Sequence, residues 1–88
     1  MTDQGTRDHQ AATEKFVALA NELTQGGLPT DLVSHAMMMA SGLFATFAVA
    51  GNEGGLNPSG VDKVVDNYRK TLEHIQKVKE VEYGNKED

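Results

Sequence analysis

Cysteine is absent from the chain, so neither a disulfide framework nor a thiolate metal site supplements its core. Positive charge is scarce as well, with eight basic residues against thirteen acidic ones and a net charge of -5. That balance favours solubility and opposes attraction to phosphate backbones or anionic lipid, so nucleic acid is not an expected partner. The sustained apolar/polar alternation of a half-buried strand is missing, as are internal repeats and low-complexity tracts. An all-α class follows. The opening MTDQGTRDHQ has neither the cationic start nor the apolar stretch of a signal peptide, which makes the cytoplasm the expected location. A chain of 88 residues forms one domain and buries roughly 60% or a little more of its unfolded surface, which leaves packing and self-association as its stabilisers.

One further absence is local. Between Asp31 and Glu53 the stretch LVSHAMMMASGLFATFAVAGN (Leu32 to Asn52) carries no charge. Its length is that of a membrane span. Its composition opposes one: Ala, Met, Ser, Gly and Thr outweigh Leu and Ile, His35 interrupts it, its flanks are acidic, and interfacial Lys/Arg and Trp/Tyr anchors are lacking. A buried or oligomeric helix is expected instead.

Three segments have helical spacing. The first runs from Asp8, a good N-cap, to Gln25, with Ala12, Phe16, Leu19, Ala20 and Leu23 on one face and Gly26 or Gly27 as the stop. The second starts at an N-cap on Thr30, carries Asp31 in its first turn and ends at Gly51. On it, Leu32, Val33, Ala36, Met37, Met39, Ala40, Leu43, Phe44 and Phe47 cover one broad side, the expected core. The opposite side is made of small or weakly polar residues. The third helix has two overlapping starts, Asn57 capping with Pro58 at the first helical position or Ser59 capping with Asp62 three residues on, and it runs to about Tyr83 before Gly84. Val61, Val64, Val65, Tyr68, Leu72 and Ile75 form its narrow apolar stripe, and Asp66 with Lys70 and Glu73 with Lys77 are spaced for ion pairs. Residues 1–7 are expected to be disordered, 8–83 to form the domain and 84–88 a frayed tail.

Short connections predict a three-helix antiparallel bundle with the apolar helix in the middle. From Asp8 the first helix spans only about 26 Å against about 35 Å for the third, and it brings three large apolar residues, Phe16, Leu19 and Leu23. A monomer would leave the small-residue side of the central helix open. A homodimer or higher oligomer is therefore expected, with Ser34, His35, Met38, Ser41, Gly42, Ala45 and Val49 near the contact.

No motif points to chemistry. Met37, Met38 and Met39 suggest copper(I) by their soft thioethers, yet side chains 100° apart do not converge on one ion, so core packing is the better reading. His9, His35 and His74 form no helical ligand pair, and no metal or cofactor is expected. The loop from Gly51 to Gly60 lacks G-K-[ST] and follows no strand, and Asn52, Glu53 and Asn57 do not match a calcium loop. Signs alternate along the third helix (Lys63, Arg69, Lys70, Lys77 and Lys79 among Asp62, Asp66, Glu73 and Glu80), as on a solvated face. Two functions remain. The first is a non-enzymatic self-associating interaction module, which another protein could also engage; the second is a ligand-binding or enzymatic pocket at an oligomer interface around His35, with Ser34 and Thr46 as hydrogen-bonding partners.

The segments FVALAN (Phe16 to Asn21), VSHAMMMASGLFATF (Val33 to Phe47) and VDNYRKTLE (Val65 to Glu73) resemble, in order and spacing, the small bacterial proteins grouped as domain of unknown function 3144. The likeness covers about two thirds of the chain and rests on Phe44, Phe47, Tyr68 and the small residues around them. It implies a helical fold and no established activity.

Overall fold

The computed structural model describes residues 3–52 and 54–84. Three helices follow in order, α1 (Asp3–Gln25), α2 (Thr30–Ala50) and α3 (Pro58–Tyr83), with no strand among the described residues. The protein is all-α.

Helix α1 begins at Asp3, five residues before the expected start at Asp8. The added turn is polar and leaves no mark on the apolar spacing. Asp3 sits in the first turn, where a carboxylate meets the positive end of the helix dipole, and the Gln4 Nε2 donates to Asp8 Oδ1 at 2.9 Å, a pairing between residues one turn apart. Asp8 is thus inside the helix; of the segment expected to be disordered, residues 3–7 are helical, while residues 1–2 lie outside the described part. With 23 residues in α1 and 26 in α3, the two helices rise about 35 and 39 Å. The expected mismatch in length largely disappears.

The helix ends follow local chemistry. At the end of α1 the Leu28 N–H donates to the Leu23 carbonyl at 3.2 Å and the Gly27 N–H to the Thr24 carbonyl at 3.0 Å. This paired closure needs a left-handed residue, and Gly27 has φ 116°. Helix α2 starts at the expected cap itself, one residue early: the Pro29 carbonyl takes the first helical bond, from the Val33 N–H at 3.1 Å, which places Thr30 inside the helix. Asp31 acts in that first turn, its Oδ1 accepting from the Leu32 N–H at 2.9 Å. Of the two candidate starts for α3 the first is used. Asn57 Oδ1 accepts from the Gly60 N–H at 2.8 Å with Pro58 at the first helical position, and Ser59 donates its hydroxyl to the same oxygen at 3.0 Å instead of capping. Gly51 and Gly84, both at positive φ, close α2 and α3. Beyond Gly84 the expected tail lies outside the described residues.

The chain divides between Phe44 and Ala45 into two compact units. In the first, burial centres on the α1–α2 connection: Val33 is 3% exposed, and Ala20 and Thr24 are half-buried. In the second, Ala45, Thr46 and Ala50 from the last turns of α2 and Leu56, Gly60 and Val64 from the start of α3 are half-buried. The backbone passes closely there, since a Cβ on Gly54 would lie 3.0 Å from the Ala50 carbonyl oxygen. None of the described residues of this unit is fully buried.

The Leu, Met and Phe side of α2 is therefore not a core within these units. Leu43 is 66% and Phe44 68% exposed, and Val33 is the one buried apolar residue among those described. The physical reason is one of coverage. Two helices meeting at a short connection shield the residues beside that connection, and a helix that is apolar nearly all round needs neighbours along its whole length.

Candidate self-association surface

The surface is built on α2, where no side chain from Leu32 to Ala50 carries a formal charge. A helix of this kind is buried by something, because apolar area left in water costs free energy in proportion to its extent. Helix α2 is also long and apolar enough to cross a membrane, and almost none of it is buried within the chain.

Ser34, His35, Met38, Ser41 and Gly42 belong to the first unit and all are exposed. Ala45 and Val49 belong to the second, Ala45 half-buried and Val49 72% exposed. Gly42 stands out among them. Glycine inside a helix costs about 1 kcal/mol relative to alanine, and a tight contact usually explains it. Here a Cβ at position 42 would meet nothing within 4 Å. The room around it gives no steric reason for glycine there.

His35 is solvent-exposed. Ser34 is its neighbour in the chain, while Thr46 lies roughly three turns further along α2 and in the other unit. Among the described residues, no group of three or more His, Asp or Glu is placed to hold a metal ion. Glu53, one of the loop oxygens weighed above, lies outside the described residues.

The other helices also show their apolar faces. On α1 Phe16 and Leu19, and on α3 Val65, Tyr68, Leu72 and Ile75, are all exposed. Charges on α3 pair locally, Lys70 with Asp66 at 3.1 Å and Lys79 with Glu82 at 3.7 Å, with the Lys79 ammonium also 5.3 Å from the centroid of the Tyr83 ring. The Glu73–Lys77 pair expected from spacing is not made among the described residues; exposed pairs gain so little that either arrangement is stable.

Sequence reasoning missed that the large residues Met39, Leu43 and Phe44 are as much part of the open surface as the small ones. A signal was present: α1 brings three large apolar residues to cover a helix that brings more than twice as many. No family model matches the chain, and neither a curated protein nor a solved structure is detectably similar to it.

Proposed function

We propose that this protein is a non-enzymatic helical module that works by self-association, its apolar core completed between copies. The observation that carries the reading is the exposure of Leu43 and Phe44 on the uncharged stretch of α2 while Val33 alone is buried among the described apolar residues. Full burial of a Leu or Phe side chain stabilises by about 1.5–3 kcal/mol, so covering Met39, Leu43, Phe44 and Phe47 supplies a driving force of several kcal/mol.

A second copy suits this surface better than a foreign chain. In a two-fold contact each patch faces its own counterpart, so a charged patch brings like charges together. Helix α2 has none to bring together from Leu32 to Ala50. The finer arrangement in this proposal is a three-helix antiparallel bundle with α2 in the middle, in a homodimer or higher oligomer whose contact includes Ser34, His35, Met38, Ser41, Gly42, Ala45 and Val49. The suggested kinship with domain of unknown function 3144 is part of the same proposal and adds no activity to it.

Sedimentation equilibrium from low to high micromolar concentration tests the reading, with circular dichroism recorded in parallel. A multiple of the 9.5 kDa chain mass, with helicity rising as copies associate, is expected. A fully helical monomer at high micromolar concentration would falsify the proposal. Flotation with liposomes, with detergent required for solubility, would transfer α2 to the membrane reading that its length allows.

A further inference from the structure

We propose that Met37, Met38 and Met39 form an oxidation site that controls assembly, in which conversion of these thioethers to sulfoxides by a hydroperoxide weakens the association of copies. This inference rests on the self-association reading.

Geometry supplies the first argument. Three consecutive residues of α2 point about 100° apart and together span about 200° of its circumference. The widest arc between them, about 160°, is centred opposite Met38 and bordered by Met37 and Met39. A contact face on such a helix is at least about 100° wide. A face of that width contains one of the three methionines unless it is centred within about 30° of the direction opposite Met38, and the contact proposed above includes Met38 and Met39.

Access and chemistry supply the second. Met37, Met38 and Met39 are 41%, 51% and 66% exposed, open to a dissolved oxidant in the unassociated chain. The chain has no cysteine, so no thiol competes for the peroxide, and Met1 is the one other sulfur. In the reaction a sulfur lone pair attacks the terminal peroxide oxygen. The S–O bond forms as the O–O bond breaks, sulfur gives up two electrons, and the departing oxygen takes the proton of the transferred one to leave as water or an alcohol. The product exchanges a flexible apolar side chain for one with a strong acceptor oxygen. Water satisfies that oxygen on the open helix, whereas an apolar contact does not.

Peroxide treatment of the full chain, with peptide mass mapping to locate each added oxygen and sedimentation equilibrium to read assembly, tests the proposal. Sulfoxide at positions 37–39 is expected to raise the association midpoint roughly tenfold or more. The triple variant Met37→Leu, Met38→Leu, Met39→Leu keeps side-chain volume and retains Met1, and it is expected to assemble with a midpoint that peroxide leaves unchanged. Enzymatic reduction of the sulfoxides in the native chain is expected to restore the original midpoint, a readout that stands even if the triple variant does not fold. Assembly at an unshifted midpoint with sulfoxides present overturns the inference and leaves self-association intact; so does an equal peroxide response in the triple variant. A native chain that is monomeric before any peroxide is added overturns both.

Discussion

Helices α2 and α3 place different demands on their surroundings. Helix α3 is amphipathic: Tyr68, Leu72 and Ile75 line one stripe, and the charges opposite pair along the helix, as Asp66 does with Lys70. A helix of that design is satisfied by one neighbour and keeps the rest of its surface in water. Beyond Asp31, helix α2 has no charged face to keep in water. Both are nevertheless left open, Leu72 at 40% exposure and Met37, the least exposed methionine of α2, at 41%. Openness alone therefore does not tell which helix drives association. The width of the face that demands cover does, and by that measure the proposed assembly is driven by α2 and flanked by α3.

The largest expected effects come from charging α2, and they separate it from α3 by symmetry. Leu43 and Ser41 point about 200° apart. If neighbours surround α2, Leu43→Asp and Ser41→Asp both raise the association midpoint, Leu43→Asp by roughly a hundredfold or more and Ser41→Asp by roughly tenfold, since each places a carboxylate in an apolar contact. On α3 the outcome depends on the face. Leu72→Asp raises the midpoint roughly tenfold, while Asn67→Asp, about 110° round the helix from the middle of the stripe, leaves it within about twofold. Sedimentation equilibrium on the four variants reads all of this. Equal indifference of Leu43→Asp and Asn67→Asp would remove the distinction between the helices.

Much of the secondary structure was legible in the sequence, and the reason lies in the range of the interactions involved. Gly27, Gly51 and Gly84 take positive φ where their helices stop, a conformation open to glycine at little cost, and this is a matter settled within about five residues. The Asn57 cap is equally local. Asp3 was illegible as a start because the turn it opens is polar on every side, so apolar spacing first registers further along. Leu43 and Phe44 were misassigned for the opposite reason. Their spacing marks a face that must be covered, but which chain covers it depends on contacts far off in sequence, and apolar periodicity is the same for a core within one chain and a core shared between two. The candidate surface was legible to that extent: the helix that carries it was evident, and the side of it left open was not.

The caps test the local half of this picture at smaller magnitude. Asn57→Ala removes the oxygen that accepts from the Gly60 N–H and the Ser59 hydroxyl, and a loss of about 1 kcal/mol is expected in urea unfolding, within the range of about 0.5–2 kcal/mol for such caps. Because the cap acts on the start of α3, the loss appears in unfolding at every protein concentration. A charged substitution on α2 acts through association, and its effect on unfolding grows with concentration. Comparing Asn57→Ala with Leu43→Asp at two concentrations thus distinguishes a defect within one chain from a defect between chains.

The smallest effect is expected at Asp66. Its carboxylate sits 3.1 Å from the Lys70 ammonium, but both side chains are more than half exposed, so water and salt screen the pair. Asp66→Asn keeps the shape of the side chain and removes the charge, and the expected change in unfolding free energy is at most about 0.5 kcal/mol, fading as salt is added. A markedly larger loss, unaffected by salt but dependent on protein concentration, would mean that the charged face of α3 is itself covered by another copy. The narrow-stripe description of α3 would then fail, and α3 would join α2 as a helix enclosed by the assembly.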